Sequence, residues 1–261
     1  MPASINHLVV GEIVWKKLYS DWPAEIQGAF LAGCLLVDVH GFNDIDRRCT
    51  HFVGRVEEDG EIAFQQSCTN FLHEVDNLMK HPWSRLTPIE KFFVAGYLCH
   101  LAVDECWKKL GWQLFQRFGI TSWDDFPVAA DVNVITFDFL SRGQWIDPPE
   151  LGAVLENIII PDVFTHVPVE VFRKQWYVSR DYVAAGGTPE AYFGMLERAG
   201  RSSSELAETR QRYEKNWDMG IDFIYEIGGV IPFIKDAVER TRQVLPQLKD
   251  FGSLTPPLTN R

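Results

Sequence analysis

His100 and Asp104 lie four residues apart inside the apolar stretch Phe92-Phe93-Val94-Ala95-Gly96-Tyr97-Leu98-Cys99-His100-Leu101-Ala102-Val103-Asp104. Residues at that spacing share one face of a helix, so an imidazole and a carboxylate project together from a wall that otherwise reads as core. Burying both groups is costly unless something pairs with them. The two can satisfy each other, as a His-Asp pair in a core often does, or they can meet a third group.

Other segments favour a third group. Phe30-Leu31-Ala32-Gly33-Cys34-Leu35-Leu36-Val37-Asp38 repeats the arrangement, with a carboxylate at the end of an apolar, small-residue helix. Thirteen positions further on comes Thr50-His51-Phe52, and His7 lies in the first turns of another amphipathic helix. Three His and two Asp in apolar helical surroundings form an N/O donor set for Zn²⁺ or a similar divalent metal.

With 261 residues the chain can bury a large core. It contains no proline-rich or low-complexity linker, so the expectation is a single α-helical metal-binding domain over 1–252 followed by a flexible tail over 253–261. A net charge of -11 argues against nonspecific binding of nucleic acid or anionic membranes, which needs clustered Lys and Arg. The doublet Arg47-Arg48 is too short to be a polybasic patch. No secretion signal is read at the N-terminus, so a cytoplasmic location is expected. Asp38, His100 and Pro161 interrupt the longest apolar runs, and no stable insertion into a membrane is expected. The five cysteines lack C-x-x-C spacing, and Cys34, Cys99 and Cys106 read as reduced thiols in helices.

Capping residues and apolar spacing predict helices from Ser4 to about Tyr19 and from Pro23 to about Val37. A loop carrying Asp44, Asp46 and Arg47 follows, then a turn at Glu57-Glu58-Asp59-Gly60 and a helix over 62–79. Thr87-Pro88-Ile89-Glu90 is a capping box that starts the long helix ending near Phe118. Further helices are expected over 131–140, 149–159, 170–184, 189–198, 203–227 and 230–248. No alternating strand pattern and no internal repeat is present, so the fold class is all-α.

The order His7, Gly33-Cys34-Leu35-Leu36-Val37-Asp38, Thr50-His51-Phe52 and Gly96-Tyr97-Leu98-Cys99-His100-Leu101-Ala102-Val103-Asp104 resembles the zinc-dependent phospholipase C family, which is related in fold to the S1 and P1 nucleases. The resemblance covers about the first 115 residues. It implies a multi-helix bundle of the phospholipase C / P1 nuclease type, with Asp38, His51, His100 and Asp104 on one zinc ion. His7 and Asp104 would hold a second, Asp104 bridging the pair, and Asp38 and Asp104 would take part in catalysis. Two departures stand out. The secreted phospholipases use the amino group of a processed N-terminal residue, whereas this sequence starts at Met1. Their third metal site needs His and Glu residues soon after the helix bearing the H-x-x-x-D motif, and only His166 with Glu170, interrupted by Pro168, offers a remnant of it here.

Around these residues several readings stay open. His40 and Asp44 serve either as ligands or supports near Asp38 or as polar loop residues. Arg47 and Arg48 either clamp a phosphate or form a solvated doublet. Tyr97 and Trp107 either wall a pocket or pack in the core, and His73 and His81 read as surface residues. The first functional expectation is a hydrolase in which a metal-activated hydroxide attacks a phosphoester of a small molecule or lipid. The second keeps the scaffold but uses iron, as an oxygenase or cyclase of specialised metabolism. The third is a non-catalytic helical module whose metal is structural or lost.

Overall fold

The computed structural model describes residues 4–41, 45–52, 66–119, 130–142, 160–226, 228–249 and 251. The described residues form helices α1 (Ser4–Leu18), α2 (Ala24–Leu35), α3 (Arg47–His51), α4 (Ser67–Leu78) and α5 (Pro88–Phe118). They continue as α6 (Ala130–Ser141), α7 (Val169–Ala184), α8 (Pro189–Arg198), α9 (Ser203–Glu226) and α10 (Val230–Val244). Short 3₁₀ turns follow α2 at Leu36–Gly41, precede α5 at Trp83–Arg85 and extend α10 at Leu245–Gln247. No strand occurs among the described residues, and one isolated bridge pairs Met79 with Phe164. The all-α expectation holds. None of the described helices is long and apolar enough to cross a membrane. The expected helix over 149–159, the turn at Glu57–Gly60 and the tail over 253–261 lie outside the described residues.

Local chemistry sets several boundaries. Glu90 accepts from the Thr87 backbone N–H at 2.7 Å while the Thr87 hydroxyl accepts from Glu90 N–H at 3.3 Å, the reciprocal box that opens α5. Thr188 caps α8 ahead of Pro189. The helix expected over 230–248 ends at Val244 instead, because Pro246 has no N–H to continue the ladder and the last turn tightens to 3₁₀. α4 begins at Ser67, after a Gln66 outside the helix, rather than at residue 62; residues 62–65 are among those not described.

Two helix starts receive their caps from distant parts of the chain. Asp138 in α6 accepts from the backbone N–H groups of Ile5 and Asn6, both at 3.1 Å, at the start of α1. Glu105 in α5 accepts from Cys68 N–H at 2.8 Å at the start of α4. These buried carboxylates meet orphan donors that the helix termini leave over.

α2 and α5 pack most intimately. Gly33 and Gly96 face each other at the crossing, where a Cβ on Gly33 would strike the Phe93 carbonyl and one on Gly96 the Phe30 carbonyl. Only glycine lets the backbones approach this closely. α1 packs against α2, α5, α6 and α10, and α10 lies along α5. Buried aromatics including Phe30, Phe71, Phe92, Phe93, Tyr97 and Phe164 fill the space around this central pair.

Candidate metal centre

Four elements deliver the five expected ligands to one place. His7 comes from the second turn of α1, Asp38 from the 3₁₀ turn after α2, His51 from the last residue of α3, and His100 and Asp104 from one face of α5. The chain leaves helical values at Asp38 (φ -75°, ψ 30°), just past the close crossing. His7, His51, His100 and Asp104 are buried, while Asp38 is 20% exposed and marks the mouth of the centre.

Distances within the cluster match shared coordination. His51 Nε2 is 3.0 Å from Asp38 Oδ1 and 3.4 Å from Asp104 Oδ2; His7 Nε2 is 3.7 Å from Asp104 Oδ1; His100 Nε2 is 3.8 Å from Asp38 Oδ1. Two ligand atoms on a tetrahedral zinc, each bonded at about 2.1 Å, sit roughly 3.4 Å apart. The observed separations bracket that value. Two overlapping donor groups result, His7-Asp38-His100 and His51-His100-Asp104, and either could hold a metal ion. The two Asp104 oxygens diverge, Oδ1 toward His7 and Oδ2 toward His51.

Second contacts of the imidazoles fix which nitrogen turns inward. His100 Nδ1 donates to the Cys34 carbonyl at 2.7 Å, a bond made possible by the glycine crossing. The Thr50 hydroxyl donates to the Arg47 carbonyl at 3.2 Å, so it accepts from His51 Nδ1 at 2.8 Å. Both rings therefore aim Nε2 at the carboxylates, the orientation in which a supporting acceptor holds a metal-ligating histidine. The His7 ring lies flat on His100, with centroids 3.7 Å apart and planes 4° from parallel. Both His7 nitrogens, His100 Nε2 and Asp104 Oδ1 are buried without a hydrogen-bond partner. Buried polar atoms left this way are rare in stable folds, and a cation would satisfy the Nε2 and carboxylate atoms among them, leaving His7 Nδ1, on the other side of its ring, to another partner.

Ionisation follows from the same surroundings. Burial, reinforced by His100, holds His7 down to about 3, and burial likewise lowers His100, so both rings offer lone pairs near neutral pH. Burial pushes Asp104 upward, but the facing His51, His100, Arg47 and His7 outweigh it and hold the carboxyl well below the usual aspartate range. Asp38 is held down in the same way by His100, His51 and His7 against its burial. The pocket thus presents two carboxylates and the neutral imidazoles of His7 and His100.

Arg47 departs from the solvated-doublet expectation. It is only 32% exposed and its Nη2 donates to Asp104 Oδ2 at 2.9 Å, whereas Arg48 is exposed. The sequence predicts a loop carrying Asp44, Asp46 and Arg47, yet Arg47–His51 forms α3. A five-residue helix is too short to show periodicity; its signal is Asp46, whose side chain accepts from Arg48 N–H at 2.8 Å. Phe52 ends α3 in the left-handed region (φ 52°), an uncommon conformation for a bulky residue, directly after His51. Tyr97 packs in the core on Phe71 and also donates from its hydroxyl to the Thr50 carbonyl at 2.5 Å, anchoring the turn that carries His51. Trp107 packs on Phe137 and Phe233 as a core residue.

The remaining candidates fall elsewhere. His166 lies among Phe52, Tyr97 and Phe164, with burial lowering it to about 4, while Glu170 is 73% exposed and pairs with Arg173. These two do not assemble a third site. His73 and His81 are exposed, as expected. Asp44 and the His40 side chain lie outside the described residues. All five cysteines are free, with Cys34 and Cys99 buried and Cys106 half-buried. No family model matches the chain, and neither a curated protein nor a solved structure matches it.

Proposed function

We propose that this chain is a metal-dependent hydrolase that cleaves a phosphoester of a small molecule or lipid, on a bundle of the phospholipase C / P1 nuclease type. The observation that carries the reading is the set of inward-facing Nε2 and carboxylate atoms spaced as co-ligands, among which His7 Nε2, His100 Nε2 and Asp104 Oδ1 are buried without a hydrogen-bond partner. The order and spacing of the motifs support it from the sequence side. A pair of zinc ions suits the donors, which are imidazole and carboxylate with no thiolate among them. When bound, the metal supplies an activated water and stabilises charge on the attacking and leaving oxygens.

The protein's own groups do the rest. Asp104 offers one oxygen to each half of the centre and so ties the halves together. His51 and His100 are locked in orientation by Thr50 and Cys34, so little reorganisation accompanies loading. Asp38, at the mouth, stands where a water or a substrate oxygen would enter, and its depressed pKa keeps it an acceptor.

A second reading rests on one feature of the ligand set. Each donor group holds two His and one Asp, the composition of non-haem iron oxygenase sites. Metal analysis of purified protein, combined with hydrolysis of bis(p-nitrophenyl) phosphate and p-nitrophenyl phosphate, separates the two. Zinc with chelator-sensitive ester hydrolysis supports the hydrolase; stoichiometric iron without hydrolysis supports the oxygenase and overturns our reading.

A further inference from the structure

Arg47 and His51 open and close α3, four residues apart on one face, and both reach the same carboxylate oxygen. Arg47 Nη2 donates to Asp104 Oδ2 at 2.9 Å, and His51 Nε2 lies 3.4 Å from that atom. A zinc ion shared by His51 and Oδ2 would bond to each at about 2.1 Å, so it would lie within about 5 Å of Nη2 wherever it sits around the oxygen. A dication and a guanidinium at that separation repel each other strongly in a buried setting. The charge balance sharpens the conflict. Asp38 and Asp104 are the carboxylates of the two donor groups, and they cannot neutralise two zinc ions and Arg47 together.

The contact has the marks of a provisional one. A guanidinium is a planar fork suited to gripping a carboxylate at two points, yet Nη2 alone bonds to Asp104, while Nε is buried with no hydrogen-bond partner. The Arg47 side chain is 32% exposed, so its way out does not cross the core. Its backbone need not move either, since Asp46 caps α3 and the Arg47 carbonyl accepts from the Thr50 hydroxyl at 3.2 Å.

On the reading of the centre as a metal site, we propose that Arg47 is a resident cation that holds the metal's place on Asp104 in the empty centre and swings outward when an ion binds between His51 and Asp104. Before loading, the contact keeps a buried carboxylate paired, which an unpaired aspartate in the core would not be without a large loss of stability. On loading, the incoming ion has to displace the guanidinium, so Arg47 sets the affinity of that half of the centre. The ring orientations fixed by Thr50 and the Cys34 carbonyl stay as they are, and the Arg47 side chain is the part that moves.

Two measurements test this. Zinc affinity is read by competition with a chromophoric chelator on wild type, Arg47→Met and Arg47→Lys, with metal per chain assayed and melting temperatures recorded for the metal-free and zinc-loaded forms. Arg47→Met keeps the stem without the charge, and Arg47→Lys keeps the charge. We expect Arg47→Met to bind zinc at least about tenfold more tightly than wild type and Arg47→Lys to stay within about threefold of it. Metal-free Arg47→Met should melt below wild type, and zinc should raise its melting temperature by more. In wild type itself, zinc should speed modification of Arg47 by phenylglyoxal at least about fivefold, read by mass spectrometry, while the exposed Arg48 changes by less than about twofold. This second readout needs no variant to fold. Zinc binding by Arg47→Met that is weaker than wild type, or within about twofold of it, overturns the proposal, as does Arg47 modification that zinc leaves unchanged or slows. The metal reading then still stands on the zinc bound by wild type. If neither wild type nor Arg47→Met takes up zinc, both fall.

Discussion

Asp138 and Asp104 are both buried carboxylates on packed helices, yet their surroundings differ in kind. Asp138 accepts from Ile5 N–H, Asn6 N–H, the Asn6 amide and the Tyr182 hydroxyl, and the Ser141 hydroxyl completes the network by donating to Asn6 Oδ1 at 2.8 Å. No side-chain atom of these residues is left buried without a partner. Asp104 has Arg47 on one oxygen, whereas its other oxygen, both His7 nitrogens and His100 Nε2 remain unsatisfied. Burial alone therefore does not mark a functional group. What separates a polar cluster that holds the fold from one built for a ligand is whether its own members complete it.

Substitutions at the two carboxylates should break in different places, and the largest effect is expected at the centre. Asp104→Ala removes the group that faces both halves, so bound zinc should fall from about two equivalents toward none and turnover by at least roughly a hundredfold, read by metal analysis and initial rates. Asp138→Ala should leave zinc per chain intact while costing about 3 kcal/mol in urea unfolding, because it strands the Tyr182 hydroxyl and the first N–H groups of α1. Loss of zinc in Asp138→Ala would erase the distinction between the clusters.

Smaller changes sharpen it. Gly96→Ala should destabilise the protein by roughly 1–3 kcal/mol and weaken zinc in a competition assay, since parting α2 from α5 lengthens the bond from His100 to the Cys34 carbonyl. Tyr97→Phe removes one hydroxyl from the Thr50 carbonyl and should cost about 1 kcal/mol, with a modest loss of zinc affinity through His51. The pH dependence adds a further contrast. Burial raises Asp138 from 3.8 to about 6 despite its donors, so the folded state holds a proton there that the unfolded state has released. That contribution favours folding at low pH and is lost as pH rises through about 6, in protein stripped of metal. The depressed Asp38 and Asp104 act in the opposite sense, stabilising above the ordinary aspartate range and losing that effect as pH falls. Asp138→Asn should therefore remove the loss of stability between about pH 4 and 6 and leave the acid limb unchanged.

Much of this was legible along the chain because it depends on near neighbours. The box at Thr87 and Glu90 announces α5, and the i,i+4 spacing of His100 and Asp104 announces a shared face. His7, Asp38 and His51 stood out as polar residues inside apolar helical text, and the structure gathers them with the other two. The supports did not stand out, because each is defined by a partner far away in sequence. Nothing around Asp138 points to α1, nothing around Arg47 points to Asp104, and Lys108 reads as one more charge on a long helix until Ser67 is folded against it. Glycine was half legible: Gly33 and Gly96 sit in the motifs, but only the crossing explains why neither tolerates a Cβ.

The central claim is that the unsatisfied atoms around His100 exist for a metal. Equilibrium dialysis of wild type and His100→Ala against the same buffered zinc, with metal per chain measured on both, tests it most directly. Because His100 ligates through Nε2 alone and one lone pair serves one ion, the account predicts about two equivalents on wild type and at least about one fewer on His100→Ala, with circular dichroism showing the variant still helical. Equal zinc on the two proteins, or none on wild type at concentrations that load ordinary zinc enzymes, would contradict it.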